Sequence, residues 1–341
     1  MLIGDALAGP VQKGADAIRH GMQAMPASIP KPAFPEAVGY AFLGCYTLLV
    51  AVTIGILVMR ALHPARGYTE LRLRVRGFWF IVVLATLALG FNRYFSIVCI
   101  AFISFIAFKE YLSLIPTRRA DHQVLFWAYM AIPVQYLLTG VGWYGAFIIF
   151  IPVIWFLALP MRMVLIGETH GFLRAVGLMQ FGLMTCVFSL SHMAYLLALP
   201  EAGNPQGGGV ALLFYLIFLT QFNDIAQYVV GKLIGRHQVT PSVHPGKTAE
   251  GLLGGVAVTV ALALLLAPWL TPLSHFDALG AGLLIGFGGF LGDVTITAIK
   301  RDLGVTEGDS LTVGHGGILG RVDSLTFTAP AFFHFVYFLH Y

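Results

Sequence analysis

The sequence predicts an all-α polytopic integral membrane protein with about nine or ten transmembrane helices. Of its 341 residues, 58% are hydrophobic and only 11% are charged, and the mean hydropathy is +0.82. A soluble globular domain carries about 25% charged residues, so composition excludes that class. The apolar segments are continuous rather than alternating, and they therefore give no signal of a spanning β-barrel.

Apolar stretches of spanning length recur along most of the chain. Ten are predicted, the second of them short: 37–59, 77–91, 94–115, 123–138, 142–160, 175–199, 209–231, 250–270, 278–299 and 324–341. They divide the chain into a polar N-terminal segment 1–35, N-terminal transmembrane helices 36–200, and a C-terminal region 201–341. The first segment lacks the apolar core of a cleaved signal peptide, and an amphipathic surface helix around 5–25 is one alternative there.

The basic residues are distributed unevenly between the two sides of these spans. Sixteen of the twenty Lys and Arg residues fall on one side, which the positive-inside rule places in the cytoplasm, with both termini outside. Most of the basic charge, and the pI near 9.0, therefore reflects topology, and no nucleic acid partner is predicted. The three cysteines lie in apolar runs without a CxxC spacing, as expected of buried small hydrophobic residues.

The first 200 residues offer few groups for chemistry. Lys109 and Glu110 stand together at the end of a span, and the pattern predicts that they pair with each other or extend toward the interface. His192 is alone in an apolar segment. We interpret it as hydrogen-bonded to a neighbouring helix rather than as a proton relay.

The C-terminal third places acids inside the membrane. Asp224 lies within a span beside Asn223, and Asp293 lies within another, two helical turns before Lys300 and Arg301. An acid at this depth costs roughly 2.5–3.5 kcal/mol on insertion scales. Each acid is therefore expected to face a partner or a water-filled cavity, and we interpret the pair as functional.

Two basic, Gly-rich loops on the same predicted side accompany these acids. The first, 231–251, carries Lys247 and Thr248, a predicted N-cap at a helix start suited to phosphate. The second, 300–324, carries Gly314–Gly317, Arg321 and Asp323. Carboxylates for a divalent cation and cations for phosphate oxygens are what phosphoryl or nucleotidyl transfer needs. The residues alone predict a membrane enzyme that acts on a lipid-linked phosphate among membrane lipids, with Mg²⁺ favoured by the hard oxygen ligands.

The ordered motif KRDLGV…GHGGILGRVDSL resembles the C-terminal signature of the phosphatidate cytidylyltransferases, the CDP-diacylglycerol synthases. The block ND…YVVGKLIGRH…P…HPGKTAEG is similar to a second conserved region of that family. The resemblance covers about residues 220–330, and upstream only the multi-span pattern agrees. It implies that CTP and a lipid phosphate, phosphatidate first, give a CDP-lipid and pyrophosphate in phospholipid synthesis.

The resemblance also implies roles for the matching positions. The catalytic residues would be Asp224, Asp293, Lys300, Arg301 and Asp323, and the three acids among them would ligate Mg²⁺. The substrate-binding residues would be Lys247, Thr248, Thr297, His315, Gly316, Gly317 and Arg321. The expected location is a bacterial inner membrane, with the active-site loops in the cytoplasm.

Several positions depart from the family pattern, which makes the chain a divergent member. Thr306 and Glu307 replace a Lys-Asp pair, and Gly320 replaces the first acid of Asp-Arg-x-Asp. Asp309, in the same loop, is an acid that could compensate. Three alternatives stay open: phosphatidate as the acceptor, another lipid or polyprenyl phosphate, or a catalytically inactive CTP-binding relative.

Two other functional classes, a secondary transporter and a polyprenol kinase, are compatible with polar residues in membrane helices. A secondary transporter would show matching polar sites in both halves, which this chain lacks, whereas a polyprenol kinase would release a nucleoside diphosphate instead of pyrophosphate. The small-residue runs Gly254-Gly255 and Gly286–Gly289 allow close helix packing within one subunit or between two. A homodimer is therefore one of the two predicted arrangements.

Overall fold

The computed structural model describes residues 35–63, 68–115, 122–167, 169–304 and 317–341. The N-terminal segment and most of the loop before the last helix, including Thr306, Glu307, Asp309, His315 and Gly316, lie outside these ranges. The helices are α1 Glu36–Leu62, α2 Thr69–Leu89, α3 Arg93–Leu114, α4 His122–Val141, α5 Tyr144–Val164, α6 Phe172–Ala198, α7 Gly208–Ile234, α8 Ala249–Leu270, α9 His275–Asp302 and α10 Leu319–His340.

In the described part of the chain, nine helices are long and apolar enough to cross a membrane, and α2 adds a shorter apolar stretch, Val75–Leu89. The predicted all-α polytopic class is thereby confirmed. One small departure is a two-stranded antiparallel hairpin, β1 Gln238–Thr240 and β2 His244–Thr248. The hairpin joins α7 to α8 within a segment predicted to be a loop.

Local sequence accounts for where several helices begin. Asn92 caps α3 through Phe95 N at 2.8 Å, and Ser274 caps α9 in a capping box with Asp277. Thr248 caps α8, accepting from Gly251 N at 3.2 Å, as predicted. Each of these side chains satisfies a backbone N–H that has no partner inside its own helix.

The helices differ strongly in how deeply they are buried. In the apolar 18-residue stretch of α6, 72% is buried inside the protein, whereas in the corresponding stretch of α1 only 11% is buried. Helix α6 is therefore central, and α1 packs on the outside of the bundle. The fully buried aromatic residues around α6 include Tyr111, Phe147 and Phe333.

Glycines bring α7, α8 and α9 into close contact. A Cβ at Gly254 would collide with Val230 of α7, and one at Gly286 would lie 3.0 Å from Val256 Cγ2 of α8. Absence of side chains lets these backbones approach, as is common between membrane helices. Both small-residue runs are therefore used within one subunit, while the homodimer stays a prediction.

A buried amide links the same three helices. Asn223 on α7 is fully buried, donates Nδ2–H to Gly286 O of α9 at 3.2 Å, and accepts from Thr259 Oγ1 of α8 at 3.1 Å. An unmade hydrogen bond in this apolar interior would be costly. Asn223 thus sets the rotation of α7, and with it the direction in which the adjacent Asp224 points.

Helix α10 begins earlier than the sequence indicated. The predicted span started at 324, but the helix starts at Leu319 and contains a turn at Asp323 and Ser324, between Leu319–Val322 and Leu325–His340. Arg321 and Asp323 therefore lie within the first turns of a helix rather than in a loop. The prediction failed because Gly320, Arg321 and Asp323 lower the local hydropathy of a segment that is held by tertiary contacts.

Candidate active site

Three acids from three helices converge at one end of the bundle. Asp224 comes from α7, Asp293 from α9, and Asp323 from the turn in α10. Asp224 interacts electrostatically with Asp293 and Lys247, and Asp323 interacts with Asp293, Asp224 and Lys300. The structure thus brings the three predicted acids together, and their catalytic role stays a prediction.

Ser324 connects two of the acids. Its hydroxyl donates to Asp224 Oδ1 at 3.0 Å, and its backbone N–H donates to Asp323 Oδ1 at 2.7 Å. The turn in α10 makes this possible, because it frees the Ser324 N–H from the helical pattern. Gly292 on α9 packs directly against the Asp323 carbonyl, so the turn is held from the other side as well.

Lys247 reaches the third acid from the hairpin. Its Nζ lies 2.5 Å from Asp293 Oδ2, with the two side chains 15% and 19% exposed, and it donates to Gln227 Oε1 at 3.1 Å. Thr297, one helical turn after Asp293, donates to Asp293 Oδ1 at 3.3 Å. An ion pair so shielded from water is strongly coupled, and removing one partner leaves an uncompensated charge.

The hairpin that carries Lys247 is held by Glu250. The Glu250 carboxylate accepts from Arg236 N at 2.9 Å, from His237 N at 3.2 Å and from His237 Nδ1 at 2.5 Å. Ala249 N also donates to His237 O at 2.8 Å. Sequence reasoning did not predict this role for Glu250, although an acid two residues after the Thr248 cap is a recognisable helix-start pattern.

Lys300 faces the position where the family signature has an acid. A Cβ built at Gly320 would lie 3.0 Å from Lys300 Nζ. Lys300 therefore lies next to position 320, where the family signature has an acid and this chain has glycine. Asp323 interacts electrostatically with Lys300. Arg301, one residue further on, is exposed at the end of α9. Among the described residues it contacts none of the three acids, so the structure does not bring this predicted residue into the cluster.

Arg321 presents an unused donor to this end of the bundle. Its guanidinium lies over the Phe80 ring of α2, with Cζ 5.4 Å from the ring centroid. The Arg321 Nη1 atom is buried and has no hydrogen-bond partner among the described residues. A buried N–H without a partner is costly, and an anionic ligand would satisfy it.

Glu110 is a residue of the site that sequence reasoning misplaced. It was expected to pair with Lys109 or extend to the interface, but its Oε2 accepts from Leu319 N of α10 at 3.0 Å. Its carboxylate also occupies the space beside Gly317, where a Cβ would collide with it, while Lys109 is exposed. Glu110 thus holds Gly317 and the start of α10 in place. In the sequence, Glu110 is visible only as an acid at the end of a span. Its partner, Leu319, lies 209 residues away.

The donor chemistry of the cluster suits Mg²⁺, which prefers carboxylate oxygens. Among the described residues, no three His, Cys, Asp or Glu side chains already surround one point as a metal site would. In this arrangement Lys247 takes one oxygen of Asp293. The residues that would hold the cation are Asp224, Asp293 and Asp323, and the Mg²⁺ site stays a prediction.

Comparisons with known proteins identify the family of this chain. The cytidylyltransferase family model matches residues 71–339. An uncharacterized protein from Escherichia coli K12, YnbB, is 45% identical over 293 residues, covering 85% of this chain and 96% of that protein.

Two named relatives match over shorter stretches. A phosphatidate cytidylyltransferase of Synechocystis is 44% identical over 115 residues, covering 33% of this chain and 39% of that enzyme. A phosphatidate cytidylyltransferase of Staphylococcus aureus strain COL is 29% identical over 153 residues, covering 44% of this chain and 59% of that enzyme. The family match includes all three acids, Lys247 and Arg321. The described part of the chain has nine helices of spanning length. The chain is therefore an integral membrane protein that belongs to the cytidylyltransferase family.

Proposed function

We propose that this protein transfers the cytidylyl group of CTP to a lipid phosphate, phosphatidate first, and releases pyrophosphate in phospholipid synthesis. The observation that carries the proposal is the meeting of Asp224, Asp293 and Asp323 with Lys247 and Lys300 at one end of the bundle. Such a cluster suits a reaction in which charge on phosphate oxygens must be neutralised. The names of two relatives favour phosphatidate as the acceptor.

The reaction forms one bond and breaks another at the same phosphorus. A phosphate oxygen of the lipid attacks the α-phosphorus of CTP, and the bond from that phosphorus to the bridging oxygen breaks, so that pyrophosphate leaves with its electron pair. When bound, Mg²⁺ supplies charge neutralisation at the phosphates. The lipid phosphate already carries its nucleophilic oxygen as an anion, so the protein's task is positioning and electrostatic stabilisation.

The cationic side chains have donors left for this task. Lys247 uses two of its three N–H donors, on Asp293 and Gln227, and the third is available to a phosphate oxygen. Arg321 keeps Nη1 without a partner among the described residues. Lys300 lacks the neighbouring acid that the family signature places at position 320, so more of its charge is available to the nucleotide.

The proposed location is a bacterial inner membrane, with this site at the cytoplasmic face. Lys247, Lys300 and Arg321 belong to the predominantly basic side of the sequence, which the positive-inside rule assigns to the cytoplasm. There the site meets water-soluble CTP from one direction and a membrane lipid from the other.

The test is turnover by the purified full-length protein in detergent with phosphatidate, CTP and Mg²⁺. CDP-lipid is read by mass spectrometry, and pyrophosphate release is measured in the same reaction. We expect Asp293→Asn and Asp323→Asn each to lower the rate by about 10²-fold or more, since each removes a carboxylate that would hold Mg²⁺ at the phosphates. Asp302→Asn is the matched control, because Asp302 is exposed on the same helix as Asp293.

Each outcome decides between the alternatives. Product from phosphatidate supports the proposal. Product only from a polyprenyl or lyso-lipid phosphate changes the acceptor but retains the reaction. CTP binding without product from any lipid phosphate identifies an inactive relative and overturns the proposal. If Asp293→Asn and Asp302→Asn behave alike, Asp293 is removed from the site.

A further inference from the structure

An apolar groove lies between α1, α2 and α7. Its volume is about 490 Å³, within the range of about 300–1,000 Å³ usual for small-molecule sites. The walls consist of aliphatic and aromatic side chains, and Asp224 is the acid among its described lining residues. The groove therefore runs along the membrane-embedded helices to a residue of the candidate active site.

We infer that this groove holds one hydrocarbon chain of the lipid phosphate while its headgroup lies at Asp224, and that α1 thereby contributes to the choice of lipid. This inference rests on the proposed function for the identity of the headgroup. The wall from α1 precedes the region matched by the family model, which begins at residue 71.

The shape of the groove suits an elongated chain. One end is closed where the rings of Phe42 and Phe214 meet, 4.9 Å apart, and both rings line the cavity. From Phe214 to Asp224 is ten residues of α7, or about 15 Å at roughly 1.5 Å per residue. A path of that length suits an extended hydrocarbon chain.

The groove is accessible from the bilayer. Helix α1 is joined to α2 by Trp79 Nε1–H donating to Thr53 Oγ1 at 3.1 Å and by a 2.9 Å contact between Tyr46 OH and Thr86 Oγ1, but it leaves a gap against the middle of α7. Lining residues on both sides of that gap are open to lipid: Leu48 is 47% exposed and Val229 is 43% exposed. A chain can therefore enter sideways without crossing water.

Two arginines of α2, close to the groove, favour an anionic lipid. A second cavity of about 350 Å³ shares Val75 with the groove and is lined by Arg72, Arg76 and Trp79. Both arginines are exposed at the basic end of α2. Guanidinium groups and an indole at headgroup level attract and orient an anionic headgroup. A phosphate monoester gains more from them than the phosphodiester of a zwitterionic lipid, because it carries more negative charge.

Selection by this groove has to be steric. Lipid tails are as apolar as the groove walls, so moving a chain from bilayer to groove yields no hydrophobic free energy. What the groove supplies is a fixed path that holds the phosphate at Asp224. A side chain that blocks the path should therefore affect long chains and spare short ones.

The test compares two adjacent valines on α2. Val82 lines the groove, whereas Val83 is 41% exposed and is not part of the lining. We expect Val82→Phe to lower kcat/KM for dipalmitoyl phosphatidate about tenfold relative to dihexanoyl phosphatidate, because one blocked contact in an apolar pocket is worth roughly tenfold or more. Val83→Phe should leave this ratio unchanged. Val82 stands midway along the α2 wall, seven residues from both Val75 and Leu89, so a sixteen-carbon chain must pass it to fill the groove, whereas a six-carbon chain need not fill the groove.

A second readout does not depend on turnover. Phosphatidate with a photoreactive diazirine at the end of its acyl chain should label the groove residues near Phe42 and Phe214, as read by peptide mass spectrometry, and unlabelled phosphatidate should compete. If CTP is never turned over but this labelling occurs, the proposed function fails and the groove inference survives. Labelling outside the groove, equal labelling by a phosphatidylcholine probe, or equal behaviour of the two valine variants would overturn the inference.

Discussion

Substitution of Gly292 by alanine tests whether the turn in α10 must lie against α9. A Cβ at this position would collide with the backbone carbonyl of Asp323 and would lie 3.0 Å from Ser324 Cα. The obstructing atoms are backbone, so no side chain can rotate away. Gly288, one turn earlier on the same helix, faces the same neighbour with more room: its Cβ would be 3.4 Å from Thr328 Cγ2 and 3.9 Å from Thr328 Cα.

The size of the effect follows from these distances. Carbon atoms pack best at about 3.5–4.0 Å, so the Ser324 contact at 3.0 Å is about 0.5 Å too short, and the carbonyl contact is shorter still. The start of α10 must retreat by about that much or more, carrying Asp323 with it. Overpacking of this kind costs about 1–3 kcal/mol, and a misplacement of about 1 Å at a catalytic group can cost about 10²-fold in rate.

The assay measures CDP-lipid formation per mole of monodisperse protein, with a melting temperature in the same detergent. We expect Gly292→Ala to lose between about 10-fold and 10²-fold in rate, whereas Gly288→Ala keeps its rate within about twofold. Measuring only the monodisperse fraction separates misplacement from unfolding. Equal rates for the two variants would refute the argument that this backbone contact positions Asp323.

Three further predictions concern the surroundings of the acids. Thr248→Ala should destabilise the protein by about 1 kcal/mol through loss of the α8 cap, seen as a lower melting temperature, and Thr248→Ser should restore it. Glu110→Ala should raise KM for CTP several-fold by releasing the start of α10, whereas Lys109→Ala on the exposed neighbouring position should not. Gly320→Asp should lower the Mg²⁺ concentration for half-maximal activity, because it adds an oxygen ligand beside Lys300.

Each of these has an opposite result that would count against it. A melting temperature unchanged by loss of the Thr248 hydroxyl would remove the cap from the account of α8. Equal KM values for the variants at positions 109 and 110 would mean that Glu110 does not hold the start of α10. An unchanged Mg²⁺ requirement would show that position 320 does not face the cation.

The acids themselves were predictable because hydrocarbon imposes a strong rule. A carboxylate inside an apolar span is costly unless it has a partner, so Asp224 and Asp293 were identifiable from their positions alone. The Thr248 cap was predictable for a related reason, since a hydroxyl before a helix start satisfies a local N–H. Both inferences depend on a few neighbouring residues.

The start of α10 and the role of Glu110 were not predictable in this way. Glu110 binds the N–H of Leu319, 209 residues away, and no local pattern encodes such a contact. Hydropathy placed the last helix at 324 because Arg321 and Asp323 are polar, yet the hydrogen bond from Leu319 N to Glu110 supports a helix from Leu319.

By itself, the sequence determined the membrane class, the helix positions and the residues capable of chemistry, because hydropathy and the cost of buried charge act residue by residue. Only the tertiary structure decided which residues meet. It paired Lys247 with Asp293, joined Asp224 to Asp323 through Ser324, and left an apolar groove that has Asp224 in its lining. These arrangements depend on how glycine-lined helix faces pack, and that packing is a property of several helices at once.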